Sequence, residues 1–155
     1  MVPMSRAFVN EDHVVQELPD RPVSPHPNLV TSRGLELIDE ALEDARRSYG
    51  EAQAAGDRAA LAKAARDLRY WSARRGSAQV VPVAPDRGTV QFGSAVSLAD
   101  DDGRHRRYRI VGEDEADPAK GSISYVSPLA KAVLGKGIGE TVRAGRHDAE
   151  IIGID

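Results

Sequence analysis

Two runs of apolar residues at helical spacing, separated by Gly56-Asp57, constrain this chain more than any other feature. The first run places apolar residues three and four apart, at Leu35, Ile38, Leu42, Ala45, Tyr49 and Ala52. The second run repeats the pattern at Leu61, Ala64, Leu68 and Trp71. Because the break between the runs is short, the sequence predicts an antiparallel two-helix coiled-coil hairpin over residues 31–77.

Capping residues mark the ends of both predicted helices. Thr31 or Ser32 begins the first helix, since a hydroxyl there accepts a hydrogen bond from an otherwise unpaired backbone N–H. Asp57 is the corresponding cap of the second helix, and Gly76 closes it. The turn between the helices is therefore expected at Gly56-Asp57.

The two arms carry opposite charge. Residues 33–55 contain six acids and three bases, whereas residues 56–77 contain two acids and six bases. Each exposed ion pair contributes only about 0.2–1 kcal/mol, so this pattern favours the register of the hairpin more than its stability.

Residues 88–155 have the alternation of β-strands. Tyr108 and Ile110 alternate with arginines, and similar strands are predicted through Val90–Phe92, Val96–Leu98, Ile123–Tyr125, Val142 and Ala149–Ile154. Ser127-Pro128 then begins one helix, with Gly135 placed to end it. The chain is thus predicted to be an α+β protein, in which a helical hairpin precedes a β domain with one helix.

Prolines mark the two remaining segments. Residues 1–30 hold five of the nine prolines and are predicted to form an extended tail, laid partly on the body through apolar residues that include Phe8, Val9, Val14, Val15 and Leu18. Residues 78–87 are predicted to link the hairpin to the β domain. Pro82 and Pro85 stiffen this linker and are expected to fix the angle between the two modules.

Composition excludes several classes of site. The chain has no cysteine, so disulfides and thiolate metal sites are excluded. Its net charge of −3 gives no overall attraction to nucleic acid. It lacks both a run of about 18 apolar residues and the apolar core of a signal peptide, so we expect no membrane span and a cytoplasmic location. No arrangement of nucleophile and base, metal ligands or cofactor motif is visible, and we expect no enzyme activity, metal or cofactor.

An ordered series of motifs in the C-terminal half resembles a known family. The series is GTVQFGSAVSL, IVGEDEAD, ISYVSPLA and LGKGIGE, and it continues to AEIIGI. It resembles the C-terminal domain of the Gre transcript-cleavage factors, and the resemblance covers residues 88–154. It implies an FKBP-like antiparallel β domain with one helix, and roles in transcription elongation, RNA polymerase binding and DNA binding. The implied partner is bacterial RNA polymerase at the rim of its secondary channel, docked through Asp114, Glu115, Ser127, Pro128 and Leu129.

The hairpin resembles the Gre coiled coil less closely. LVTSRGLELIDEAL is similar to the start of that coiled coil, and AAGDR stands at its tip. The family tip resembles GDxSENA, whose aspartate and glutamate help to hold the catalytic magnesium of the polymerase. Asp57 matches the aspartate, but Ala60 stands in place of the glutamate and Arg58 would repel a cation. Each arm is also shorter than a typical Gre arm by about eight to ten residues, which removes about 12–15 Å of reach.

These departures lead to three hypotheses. The first is a Gre-like regulator that binds polymerase without stimulating cleavage, similar to the short-hairpin members named as regulators of nucleoside diphosphate kinase, with indirect contact to nascent RNA left open. The second is an active cleavage factor in which Asp57 and Glu51 replace the usual carboxylate pair. The third is a generic protein-interaction module. Prolyl isomerase activity is disfavoured, because the domain offers few aromatic residues to line a pocket, namely Phe92, Tyr108 and Tyr125.

Overall fold

The computed structural model describes residues 17–83 and 87–155, and its hairpin matches the sequence prediction. Helix α1 spans Ser32–Ala55 and helix α2 spans Arg58–Ser77. Gly56 adopts a left-handed conformation with φ of 65° between them. The predicted apolar residues of the tail other than Leu18 lie outside the described residues. Within the described part of the chain, no helix is long and apolar enough to cross a membrane.

Apolar side chains at helical spacing pack in the interface between α1 and α2. The buried aliphatic residues of the hairpin are Ile38, Leu42, Ala45, Ala52 and Ala64. One predicted charge contact is present: Arg75 Nε lies 2.6 Å from Asp39 Oδ1 across the two helices. Other arginines, such as Arg46 and Arg47, pair with acids of their own helix instead. Charge therefore supports the register locally, and apolar burial supplies most of the pairing.

A short parallel strand pair joins the two ends of the hairpin at its root. Strand β1 is Leu29–Val30 and strand β2 is Gln79–Val80, with Leu29 opposite Gln79. The predicted linker thus begins as a strand paired with the residues that enter α1. The root of the hairpin is consequently ordered by backbone hydrogen bonds, such as Gln79 N–H to Asn28 O at 2.9 Å.

The β domain, which we call the globe (residues 88–155), contains a five-stranded sheet of order β5-β4-β3-β7-β6. Its elements in chain order are β3 (Ala95–Asp100), β4 (His105–Val111), a 3₁₀ turn (Pro118–Lys120), β5 (Ser122–Ser124), α3 (Pro128–Val133), β6 (Thr141–Ala144) and β7 (His147–Ile154). The α+β fold is confirmed. The sheet is antiparallel except that β5 pairs with β4 in parallel, because the acidic loop and the 3₁₀ turn return the chain before β5 begins.

The core of the globe lies between the sheet and α3. Its most deeply buried aliphatic side chains are Val96, Leu98, Ile110, Val133 and Ile151. Ile110 and Tyr108 face this core, as their alternation predicts, while Arg107 and Arg109 remain exposed on the other side of β4. The small α3 is held here by Ala130 and Val133, both fully buried.

The predicted strand through Val90–Phe92 is wrong. Val90 is buried in the core, but its backbone bonds to the segment after α3, with Val90 N–H donating to Lys136 O and Gly135 N–H donating to Val90 O, both at 2.8 Å. Gly93 then turns the chain with φ of 87° before β3 starts. The apolar alternation therefore predicted correctly that Val90 is buried. Its backbone, however, bonds to a loop rather than to a strand.

Gly112 marks the closest approach between the globe and the root of the hairpin. A Cβ added at Gly112 would fall well inside contact distance of the Leu29 carbonyl oxygen. By contrast, a Cβ added at Gly50, on the exposed side of α1, would meet nothing within 4 Å.

We expect these two glycines to respond oppositely to alanine. Gly112→Ala should lower the free energy of unfolding by about 1–3 kcal/mol, because backbone must shift to admit the methyl group. Gly50→Ala should raise it by about 0.5–1 kcal/mol, because alanine loses less entropy in a helix. Urea denaturation of both variants measures the two values, and a stable Gly112→Ala protein would contradict the close approach.

Candidate functional site

The hairpin tip carries the two acids that the sequence singles out. Asp57 caps α2, with its Oδ1 accepting a hydrogen bond from Ala60 N–H at 3.1 Å. Glu51 is exposed on the last turns of α1. Both residues line one open groove between the helices, whose floor is made largely of alanines and which extends from the tip to Trp71. The tip acids thus share a face of the hairpin, and one carboxylate oxygen already serves as a helix cap.

The start of α3 carries three of the predicted docking residues. Ser127 caps the helix, and its Oγ accepts from Ala130 N–H at 3.3 Å. Pro128 is exposed at the first helical position, while Leu129 is half-buried and packs against the core. Pro128 and part of Leu129 are therefore exposed at the start of α3, where the Ser127 cap holds the backbone.

Asp114 lies at the junction of hairpin and globe rather than on an open surface. Its side chain is 11% exposed, and its Oδ2 lies 2.5 Å from Nε of Arg74, which is 2% exposed. Its Oδ1 accepts a hydrogen bond from the Tyr70 hydroxyl. The four acids within residues 113–117 would ordinarily be expected to lie in solvent, because burying a charge costs free energy. That placement is wrong for Asp114, because α2 supplies a buried cation and a donor that compensate the charge.

The neighbouring acids of the loop also face the hairpin. Thr31 Oγ1, at the start of α1, donates to Glu115 Oε2 at 2.7 Å. Glu113 Oε2 is buried without a hydrogen-bond partner and lies 3.7 Å from Arg74 Nη2. Three successive carboxylates therefore hold the root of the hairpin, and Asp114 and Glu115 are docked within the molecule itself.

Arg74 is the residue that sequence reasoning missed. Its guanidinium contacts Asp114 through Nε and donates through Nη2 to Asn28 Oδ1 at 2.7 Å. Asn28, which is 3% exposed, returns a hydrogen bond from Nδ2 to the Arg74 carbonyl at 2.8 Å. A signal was present in the sequence, since Arg74 follows Trp71 by three residues and so falls on the buried side of α2.

Burial sets the ionisation of Tyr70 beside this ion pair. Burial raises the pKa of Tyr70 to about 12, and the hydrogen bond to the Asp114 carboxylate adds to the rise. The neutral phenol can donate to Asp114, whereas a phenolate would face that carboxylate as a second negative charge. Tyr70 is thus held neutral to a higher pH than an ordinary tyrosine, and its hydroxyl can donate to Asp114.

The described residues offer no ready metal centre. Within residues 17–83 and 87–155, no group of three or more histidine or carboxylate side chains is placed to hold a metal ion. The acids of the junction are directed at Arg74, Tyr70 and Thr31 instead. The chemistry of the site is accordingly that of ion pairs and helix caps.

Comparisons with known proteins find similar sequences and a similar solved structure. A family model described as transcription elongation factor GreA/GreB, C-terminal, matches residues 84–154. Transcription elongation factor GreA of Desulfovibrio desulfuricans is 40% identical over 128 residues, and the match covers 77% of this chain and 77% of that protein. GreA of Methylobacterium sp. strain 4-46 is 34% identical over 149 residues, covering 81% of this chain and 94% of that protein. A solved structure of GreA factor homolog 1 from Thermus thermophilus aligns over 84% of this chain and 99% of that chain, with 20% identity and a TM-score of 0.42.

The structure defines a class of protein in which a helical hairpin stands on a β domain that carries one short helix. The sequence matches assign that class a family, since they run through both the hairpin and the globe. The chain belongs to the GreA/GreB family of transcription elongation factors.

Removing one partner of the ion pair between Arg74 and Asp114 should lower the stability of the fold. Asp114→Ala leaves the buried Arg74 guanidinium without its counter-charge, and we expect the free energy of unfolding to fall by about 3–5 kcal/mol. Asp39→Ala removes an exposed ion pair of similar geometry and should cost at most about 1 kcal/mol. Urea denaturation of both variants makes the comparison, and equal losses would show that the junction pair is not the stronger interaction.

Stability at alkaline pH should depend on Tyr70. Its folded-state pKa lies above the ordinary value of 10.0, so its contribution is complete below the unfolded pKa and is lost as pH rises toward about 12. We expect Tyr70→Phe to reduce the loss of unfolding free energy between about pH 10 and about pH 12, because phenylalanine has no proton to lose. Tyr49→Phe serves as the control on α1. If the two variants follow the same pH profile, the assigned role of Tyr70 is incorrect.

Proposed function

We propose that this chain binds bacterial RNA polymerase at the rim of the secondary channel and regulates elongation without stimulating transcript cleavage. Family membership supports the polymerase as the partner. The lack of cleavage stimulation is supported by the hairpin tip. There Asp57 caps α2, and Ala60 stands at the position of the family's second carboxylate.

The tip is poorly equipped to assist a magnesium ion. Such a hard cation prefers several oxygen ligands, and a pair of carboxylates from the tip would supply two of them. Here one Asp57 oxygen accepts the Ala60 N–H, and Arg58 adds a positive charge next to it. The shortened arms keep this tip away from the catalytic metal, so the hairpin would occupy the channel entrance and alter the access of substrates, of nascent RNA or of competing factors.

The start of α3 is the proposed docking surface on the globe. Pro128 and Leu129 form an apolar step beside the helix N-terminus, and Ser127 fixes its backbone. An apolar step of this kind fits an apolar patch on the partner. Asp114 and Glu115 contribute through their contacts with Arg74 and Thr31, which set the position of the hairpin relative to this surface.

One observation supports the alternative of an active cleavage factor. Glu51 and Asp57 line the same groove and lie toward the tip of the hairpin, so the chain does place two carboxylates on one face there. In that case Asp57 would have to exchange its capping hydrogen bond for a metal contact.

A cleavage assay on backtracked elongation complexes separates the two functions. We expect the wild-type chain to leave the 3′ end of the transcript intact and to slow cleavage by an added cleavage-competent Gre factor in proportion to its concentration. Ala60→Glu, which restores the second carboxylate, should remain inactive because the arms stay short. Robust transcript shortening by the wild type that Asp57→Ala abolishes would reject the proposal in favour of the alternative.

Pull-down of core polymerase tests the docking surface. Pro128→Asp should weaken binding strongly, and the variant should stay folded because an acid is favourable at a helix N-terminus. His105→Asp adds the same charge on exposed β4 and is expected to bind like the wild type. Equal retention of both variants, or failure of the wild type to bind, would favour a generic protein-interaction module.

A further inference from the structure

Residues 17–28 run along α2 and reach the globe, and they precede the stretch that resembles the Gre factors. We propose that this segment, which we call the strap, fixes the direction of the hairpin relative to the globe, with Arg74 as its anchor. The inference concerns the free protein and does not depend on binding to polymerase.

Two charged residues attach the strap to the outer side of α2. Asp20 Oδ1 lies 2.6 Å from Arg69 Nε, and Arg21 Nη1 lies 3.5 Å from Asp67 Oδ1. The Arg21 guanidinium also lies 3.8 Å from the centroid of the Tyr70 ring, a distance typical of a cation–π contact. Arg21 therefore joins the strap to the tyrosine whose hydroxyl donates to Asp114 in the globe.

The other end of the strap contacts the globe and the base of α2 together. The Tyr125 hydroxyl, from the segment after β5, donates to the Pro27 carbonyl. The next residue, Asn28, makes the reciprocal pair of hydrogen bonds with Arg74, at 2.8 Å and 2.7 Å. Strap and globe thus meet at the same point on α2.

The planar guanidinium of Arg74 is suited to fix an angle. Its Nε points to Asp114 in the globe and its Nη2 to Asn28 in the strap, so a tilt of α2 in either direction strains at least one of these bonds. The hairpin acts as a long lever on this point. At 1.5 Å per residue, the tip at Asp57 stands about 25 Å from Arg74, and a tilt of about 10° would move it by about 4 Å.

The absence of cysteine permits a direct measurement. Spin labels at the exposed positions Ala54→Cys near the tip and Arg146→Cys in the globe would report the distance between the modules by pulsed electron paramagnetic resonance. We expect one narrow distance distribution for the labelled parent. Asn28→Ala and Arg74→Lys should broaden it or shift its mean by about 4 Å, the displacement of the tip for a tilt of about 10°.

Arg75→Ala is the matched control, because Arg75 is the next residue on α2 and pairs within the hairpin. It should leave the distribution unchanged. If Arg74→Lys or Asn28→Ala fails to fold, the double variant Arg21→Ala, Tyr125→Phe removes one strap contact to α2 and one to the globe without altering the Arg74–Asp114 pair, and should broaden the distribution. A distribution that stays narrow and unshifted in the folded variants would overturn the proposal.

Discussion

The placement of hairpin and globe depends on the ion pair between Arg74 and Asp114. Each charge alone would be costly to remove from water, and each is compensated by the other together with Tyr70 and Asn28. The two charges come from different modules, so neither is satisfied until both modules are in place. Folding of the hairpin root and docking of the globe are therefore coupled through this ion pair.

The acidic loop (residues 113–117) makes contacts within the molecule, although its composition is typical of a surface loop. Four carboxylates lie within residues 113–117, and this composition alone predicts that the loop is exposed to solvent. In the structure, Asp114 and Glu115 instead hold Arg74, Tyr70 and Thr31. The neighbouring start of α3, with Pro128 exposed, remains at the surface.

Local patterns predicted the elements well, and the contacts between modules poorly. The helical spacing from Leu35 to Trp71 and the cap at Asp57 were sufficient for the hairpin, because these signals act within a few residues of one another. The burial of Val90 was predicted but its loop partner was not, since alternation records which side faces the core and not which backbone lies alongside. The role of Arg74 depends on Asn28 and Asp114, which lie 46 and 40 residues away in the chain, and no local pattern connects them.

In the part of the chain that the structure describes, the hydrogen bonds between the hairpin and the globe lie near the base of the hairpin, at Thr31, Tyr70 and Arg74. Arg46 and Arg47, on the outer half of α1, pair with acids of their own helix. Whole helical turns can consequently be gained or lost in matched numbers from the two arms while the seating of the hairpin stays the same. In evolutionary terms, the length of the arms and their attachment to the globe can change independently, so a short-armed protein can arise from a long-armed one by deletions confined to the far end.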